Sequence, residues 1–159
     1  MTGKGEYVNK ANEENDSDKR KSKRFPVLYH LIKPVLLRER GSKAGISSPA
    51  IMVNLSASGM ALLTFSPVPV GKNLLISFDL KDLKIDNVKS KVVRCDNKEG
   101  SCILGIQFVN LPKDIAKKIN SMADDFDSCE TRILLGEKPV CRKGCGYFEH
   151  CQRVAKGHY

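Results

Sequence analysis

Short apolar runs separated by turn-forming residues fill the middle of the chain. Between Phe25 and Phe108 these runs alternate with stretches of Gly, Pro, Ser, Asn and Asp, a texture typical of antiparallel β proteins. The pattern predicts six strands: Ile32 to Glu39, Ala50 to Leu55, Met60 to Phe65, Asn73 to Leu80, Asn87 to Cys95 and Ser101 to Val109. Closing such strands into a barrel would remove exposed sheet edges. We therefore predict a mainly β fold built on a small six-stranded antiparallel β-barrel.

Two polar segments are predicted to be turns between these strands. SPVPVG, from Ser66 to Gly71, cannot continue a strand ladder because its prolines lack an N–H donor. DNKEGS, from Asp96 to Ser101, is polar and contains a glycine. Each segment therefore separates two neighbouring strands.

An amphipathic helix is predicted after the last strand. In NLPKDIAKKINSMADDF, residues 110–126, apolar side chains recur at Ile115, Ile119, Met122 and Phe126, and Pro112 stands near the start. An isolated helix of this length is marginal in water. We expect its apolar stripe to cover one end or one face of the barrel.

The segments on either side differ in composition from this barrel-and-helix unit, which we assign to residues 19–126. Residues 1–18 are polar and have no periodic apolar face, which predicts a flexible tail. Residues 127–159 hold four of the six cysteines and form a Cys-rich tail. No apolar run reaches the length of a signal peptide or of a membrane-spanning helix, so we expect a soluble cytoplasmic protein.

The net charge changes the set of expected partners. The 159 residues include 27 Lys and Arg against 18 Asp and Glu, a formal charge of +9. Such a balance favours anionic partners, which include phosphates, nucleic acid and acidic lipid headgroups. Charge alone does not choose among them.

Two arginines stand just before the first apolar residues of the barrel. Arg20 and Arg24, in the run KRKSKR, have the spacing R-x-x-x-R. A guanidinium fork suits phosphate oxygens and the O6/N7 edge of guanine, because both accept paired hydrogen bonds in one plane. On a linker the pair could bracket a ligand about one nucleotide wide. The alternative is a solvated charge run or a nonspecific nucleic-acid patch.

A second polar motif lies between two predicted strands. NLSASG contains Asn54, Ser56 and Gly59 in the pattern N-x-S-x-x-G. Asn54 and Ser56 are two residues apart, so on a strand they point to the same face and could contact a base edge or a phosphate. Gly59 would permit a turn with positive φ or a close backbone approach. The alternative is a turn that uses these residues only for their local conformations.

Together, the two motifs resemble the signature of the PilZ family, R-x-x-x-R followed by [D/N]-x-S-x-x-G. The matching residues are Arg20 and Arg24, then Asn54, Ser56 and Gly59. The resemblance implies that the arginines grasp the guanine and phosphate groups of cyclic di-GMP (c-di-GMP) from the linker. It implies that Asn54, Ser56 and Gly59 shape the barrel side of the same site. Asn54 stands where the family commonly has an acid, and it keeps an acceptor oxygen.

The resemblance extends over roughly residues 19–126. LGIQF, from Leu104 to Phe108, is similar to the last barrel strand of the family, and the helix that follows is similar to its C-terminal element. The implied function is a second-messenger receptor in which the ligand orders the arginine-bearing linker and changes the contacts of a protein partner. Family resemblance implies partners in motility, attachment or polysaccharide production.

The tail carries a third group of candidate ligands. Cys141, Cys145 and Cys151 lie in CRKGCGYFEHC, and Cys129 stands upstream as a fourth sulfur. Clustered thiolates can ligate zinc or an iron–sulfur cluster, with His150 or His158 as substitutes for Cys129. The spacings differ from the common C-x2-C pattern, and the alternative is a set of reduced thiols. A metal-sensing or redox-sensing adaptor role could coexist with the receptor role.

The remaining two cysteines lie in the barrel segment. Cys95 and Cys102 flank the DNKEGS turn, and in a cytoplasmic chain we expect them to be reduced.

Among functions of another class, a basic nucleic-acid-binding barrel would need exposed stacking aromatics, and only 6% of the residues are aromatic. No paired acids, activated nucleophile or phosphate-binding loop occurs in the barrel segment, so we expect a protein that is not an enzyme.

Overall fold

The computed structural model describes residues 21–27, 34–41 and 47–159. The strands are β1 (Phe25–Pro26), β2 (Val35–Glu39), β3 (Ser47–Ser56), β4 (Gly59–Thr64), β5 (Asn73–Leu80), β6 (Leu83–Lys98) and β7 (Ser101–Phe108). They are followed by helix α1 (Lys113–Leu134) and by one 3-10 turn at Phe148–His150. The observed β5 has the predicted bounds, and SPVPVG separates β4 from β5 as expected.

The strands form a closed antiparallel barrel. The sheet order is β1-β3-β2-β5-β6-β7-β4, and β3 also pairs with β4. That last pairing closes β2 to β7 into a six-stranded ring, which confirms the predicted fold class. β1 is an extra strand beside the end of β3, where Phe25 pairs with Leu55 and Pro26 with Asn54.

Strand β6 is longer at both ends than the sequence pattern predicts. It begins at Leu83, although the pattern placed its start at Asn87. Asn87 has a φ of 52°, and the register with β5 shifts at this point, so that Ile85 and Val88 are both buried although they are three residues apart. This bulge breaks the strict alternation on which a strand prediction depends.

The far end of β6 runs into the segment that was predicted to be a turn. Asp96, Asn97 and Lys98 pair with β7, so the DNKEGS turn reduces to Glu99 and Gly100. A two-residue hairpin needs a residue with positive φ, and Gly100 has a φ of 70°. Polar composition was misleading here because this end of the strand lies on the surface.

The two cysteines of this hairpin are close neighbours on adjacent strands. Cys95 pairs with Leu104 and Asn97 with Cys102, which makes the two cysteines diagonal neighbours on adjacent strands. Their Cα atoms are 6.3 Å apart, within the range of about 4.4–6.8 Å that a disulfide spans. The register that brings them together could not be read from the sequence.

Helix α1 covers the barrel with the predicted stripe. Ile119 and Met122 are buried in the core, and Ile115 and Phe126 pack against its margin. The helix packs on β1 and β3 and continues past Phe126 to Leu134. It therefore crosses the boundary that the sequence pattern suggested for the barrel-and-helix unit.

The tail also contributes to the core. Tyr147 is 4% exposed and belongs to the same cluster of buried side chains as the barrel strands. In the described ranges of the chain, no helix is long and apolar enough to cross a membrane.

Candidate functional site

Arg24 lies beside a surface cavity of about 300 Å³ at one end of the barrel. The cavity forms where the segment before β1 meets the β3–β4 hairpin and strand β7. It is lined by Lys21, Arg24, Ser58, Gly59, Val93, Ile106 and Gln107. The structure thus brings one arginine of the R-x-x-x-R motif next to the glycine of the second motif, while Arg20 lies outside the described residues.

The position of Arg24 is fixed by its neighbours in sequence. Phe25 is fully buried and pairs with Leu55 of β3. On the other side, the Nζ of Lys23 lies 3.1 Å from a carboxylate oxygen of Asp124 and 3.0 Å from one of Asp127, both on α1. Hydrogen bonds to Asp127 and Asp124 raise the pKa of Lys23 above its ordinary value. The chain is held on both sides of Arg24, and the guanidinium remains exposed at the cavity.

Ser56 is committed to the hairpin between β3 and β4. Its side chain is fully buried, and its Oγ donates a hydrogen bond of 2.9 Å to the carbonyl oxygen of Gly59. The same Oγ lies 3.2 Å from the Oγ of Ser58, which lines the cavity. Ser56 therefore fixes the conformation of the turn beside the cavity and does not itself line the cavity.

Asn54 is also bonded within the hairpin. Its Oδ1 accepts a hydrogen bond of 3.2 Å from the backbone N–H of Ala61 on β4. The register between β3 and β4 shifts between Met52 and Asn54, so Asn54 stands at a bulge. An amide at this point supports a strand pair whose regular ladder is interrupted.

Gly59 serves close backbone approach. It pairs with Gln107 of β7, and a Cβ added at Gly59 would lie 1.9 Å from the carbonyl oxygen of Ile106. Its φ is outside the positive range, so of the two roles expected for this glycine the turn with positive φ does not apply. The absence of a side chain lets β4 and β7 come together at the floor of the cavity.

Five cavity residues were not singled out from the sequence: Lys21, Ser58, Val93, Ile106 and Gln107. Lys21 belongs to the basic run, Ser58 to NLSASG, and Ile106 and Gln107 to LGIQF. Nothing in the linear pattern marked them, because β7 reaches the hairpin only through the closure of the barrel. Finding these residues from the sequence would have required knowing which residues of β4 and β7 pair.

The four tail cysteines come together in space. Cys129, Cys141, Cys145 and Cys151 line one small cavity of about 20 Å³, to which neither tail histidine contributes. Burial raises the pKa of the Cys145 thiol, and the charges of Asp125, Cys141 and Cys129 raise it further. As the side chains stand in the described segments, no three His, Cys, Asp or Glu residues converge closely enough to hold a metal ion.

Tyr147, between these cysteines, connects the tail to β1. Its ring packs edge-on against Phe25 at 5.5 Å and against Phe126 at 5.0 Å, measured between ring centroids. Its hydroxyl donates a hydrogen bond of 2.9 Å to the carbonyl oxygen of Pro26. Burial raises the pKa of Tyr147 to about 12, so the hydroxyl stays protonated at neutral pH. The tail is thus packed against the strand that follows Arg24.

Solved structures with this fold include several proteins of the PilZ type. The PilZ domain of YcgR from Escherichia coli, solved with c-di-GMP, superposes with a TM-score of 0.51 at 14% identity, covering 75% of this chain and 98% of that one. The Bacillus subtilis inhibitor of motility MotI/DgrA gives a TM-score of 0.54 at 12% identity, covering 76% of this chain and 54% of that one. For the MrkH–c-di-GMP complex of K. pneumoniae the TM-score is 0.54 at 17% identity, with coverages of 72% and 54%.

At these identities the superpositions establish the fold alone. Among curated proteins, no sequence matches the chain. The family assignment therefore depends on the sequence model of the PilZ domain, which matches residues 18–124 and so includes both motifs and the first half of α1. The chain belongs to the PilZ domain family.

Proposed function

We propose that the protein is a c-di-GMP receptor and not an enzyme, and that it acts in the cytoplasm. The observation that carries this proposal is the meeting of Arg24 with the β3–β4 hairpin at one cavity. Two motifs that lie about thirty residues apart in the sequence are neighbours on a barrel of a family whose solved members include c-di-GMP complexes.

The cavity has the chemistry that a cyclic dinucleotide requires. Lys21 and Arg24 supply positive charge for the phosphates, and the Arg24 fork can form paired hydrogen bonds to a phosphate or to the guanine O6/N7 edge. Gln107, exposed beside them, adds an amide donor and acceptor. Val93, which is 48% exposed, provides apolar surface against which a base can lie.

In this proposal the residues of the second motif act mainly as a support. Gly59 keeps β4 and β7 close, while Ser56 and Asn54 fix the hairpin through hydrogen bonds within it. The ligand then meets the backbone and the Ser58 side chain at the hairpin surface. Arg20, four residues before Arg24 in the sequence, is proposed as the second arginine that binds the ligand.

In this proposal Lys23, the neighbour of Arg24, transmits ligand binding to helix α1. A ligand that binds better to one arrangement of the linker shifts the population towards that arrangement by its difference in affinity. Lys23 joins the linker to α1 through its ion pairs with Asp124 and Asp127. A movement of Arg24 towards the ligand would therefore change the contacts between the linker and this helix. We propose that a protein partner, of the motility, attachment or polysaccharide machinery, recognises the ordered linker.

Calorimetry with c-di-GMP tests the function directly. We expect saturable binding at a defined stoichiometry, retained against excess GTP and against linear dinucleotide. A parallel titration with RNA and single-stranded DNA at increasing salt tests the nucleic-acid alternative, since nonspecific polymer binding weakens steeply with salt. Polymer binding without any heat from c-di-GMP would overturn the receptor proposal in favour of a nucleic-acid-binding barrel.

A further inference from the structure

The tail cysteines are drawn from three separate parts of the chain. Cys129 lies in the last third of α1, Cys141 and Cys145 lie in the loop after the helix, and Cys151 follows the 3-10 turn. All four thiols line the same cavity, although 22 residues separate the first from the last. The remaining two cysteines, Cys95 and Cys102, lie on the β6–β7 hairpin, outside this cluster.

Three arginines line the cavity together with the thiols. Arg132 is buried, and its guanidinium is fixed by hydrogen bonds of 2.8 Å to the carbonyl oxygen of Val140 and 2.7 Å to the Oγ of Ser128. Arg142 and Arg153 complete the set. Against these three arginines the lining contains one carboxylate, Asp125, so positive charge predominates and favours an anionic occupant.

Arg153 indicates an anionic occupant of the cavity more directly. One of its guanidinium nitrogens pairs with Glu130, and the group stacks 4.4 Å above the ring of Phe126. The other nitrogen, Nη1, is buried and has no acceptor among the residues that the structure describes. A buried donor without a partner is costly, and a thiolate sulfur in the cavity would provide the acceptor.

We propose that Cys129, Cys141, Cys145 and Cys151 form a four-thiolate site for a thiophilic metal centre, Zn²⁺ or an iron–sulfur cluster. Both centres take four cysteine thiolates and leave a net negative charge, which the three arginines would compensate. Binding releases the thiol protons to solvent as the sulfur–metal bonds form. Because the thiols do not converge as they stand, the occupant draws them in by rotation about the Cα–Cβ bonds from their positions around the cavity.

Such a centre would join α1 to the loop that carries Tyr147. Cys145 and Cys151 lie on either side of Tyr147, and Cys129 belongs to the helix. A closed site with four protein ligands is typical of structural metal centres. Its occupancy would hold Tyr147 in contact with Phe25 and Pro26.

Metal analysis of the whole chain, purified without oxygen, tests the proposal. We expect either about one zinc per chain, or iron and inorganic sulfide in equal amounts with broad visible absorption. Cys145→Ser and Cys151→Ser should lose the metal, whereas Cys95→Ser should retain it. Circular dichroism of each variant shows whether the barrel remains folded, so that a loss of metal is not confused with a loss of fold.

Alkylation of the thiols provides a second readout that does not depend on the variants. In the metal-bound protein the four tail thiols should react slowly, and a chelator should accelerate them together. Protein that stays metal-free after incubation with Zn²⁺, and separately with iron and sulfide, would overturn the proposal, as would Cys→Ser variants that keep their metal. Binding of c-di-GMP is measured separately by calorimetry. A protein that does not bind c-di-GMP would therefore leave the test of the metal site unchanged.

Discussion

The hydroxyl of Tyr147 donates a hydrogen bond to the carbonyl oxygen of Pro26, 121 residues earlier in the chain, at 2.9 Å. Pro26 belongs to β1 and stands two residues after Arg24. The Cys-rich tail therefore supports the segment from which the proposed ligand contact projects. Stability and ligand affinity should both depend on this contact.

Tyr147→Ala should destabilise the protein by about 3–5 kcal/mol, because a buried ring is replaced by a cavity. Tyr147→Phe keeps the ring and loses one hydrogen bond, which should cost about 1 kcal/mol. Urea unfolding measures both. Tyr159→Phe is the matched control, since Tyr159 is 57% exposed and its hydroxyl should contribute little. Equal stability of the Tyr147→Ala variant and the parent would show that the tail does not support β1.

Arg24→Ala should weaken c-di-GMP binding roughly tenfold or more, because a charge-assisted contact contributes about 1.5–3 kcal/mol. Arg24→Lys should also weaken binding, since lysine keeps the charge and loses the planar fork. Folding should hardly change, because the side chain is exposed. Calorimetry and thermal unfolding give the two readouts.

Arg38→Ala is the control for the arginine prediction. Arg38 is on β2 opposite Ser47, at the other end of β3 from Ser56, and its exposed guanidinium bonds to Asn87. Its removal should leave c-di-GMP affinity unchanged. If Arg24→Ala binds the ligand as tightly as Arg38→Ala does, Arg24 is not part of the site. The same substitution at Arg20 tests the second arginine of the motif.

Gly59→Ala should be among the most destabilising single changes in the barrel. The added Cβ would meet the carbonyl oxygen of Ile106 at 1.9 Å, so β4 and β7 must move apart. We expect a cost at or above the upper end of the roughly 1–3 kcal/mol typical of overpacking, together with reduced ligand affinity. Gly105→Ala is the comparison, because there the nearest atom is the Arg94 Cβ at 3.1 Å, a smaller conflict. Thermal unfolding should rank Gly59→Ala well below Gly105→Ala.

Ser56→Ala should reduce stability more clearly than it reduces affinity. The change leaves the Gly59 carbonyl oxygen without the buried hydroxyl donor, which should cost about 1–3 kcal/mol. Affinity should fall only as far as the hairpin shifts, and by less than with Arg24→Ala. Ser48→Ala, on the same strand at an exposed position, should change neither quantity. A Ser56→Ala protein of parental stability with tenfold weaker binding would instead indicate direct contact with the ligand.

The barrel could be predicted because its strands are short, apolar and separated by clear turns. The strand over Asn73–Leu80 is marked on both sides, and its observed bounds agree with the pattern. Strand β1 could not be predicted, since two residues ending in proline have no strand periodicity and become a strand only through pairing with β3. The same holds for the bulge at Asn87, which depends on the partner strand.

For the site, residue types were easier to predict than roles. For Gly59 the sequence left open a turn with positive φ or a close backbone approach, and the structure shows the close approach, with the Ile106 carbonyl as the neighbour. For Ser56 the sequence left open a ligand contact or a purely local role in the turn, and the structure shows a buried hydroxyl bonded within that turn. Which side of a hairpin faces a ligand depends on register, and one residue of slip exchanges the two faces.

The long separation between Pro26 and Tyr147 also sets an order of events during synthesis. Neighbouring strands from β3 to β7 pair mostly through short hairpins and can form as they leave the ribosome. The contact between Tyr147 and Pro26 has to wait until the tail has been made, and closing so long a loop carries an additional entropy cost. A nascent chain would thus complete its barrel first, and the support that Tyr147 gives to β1 would be added only after translation of the tail.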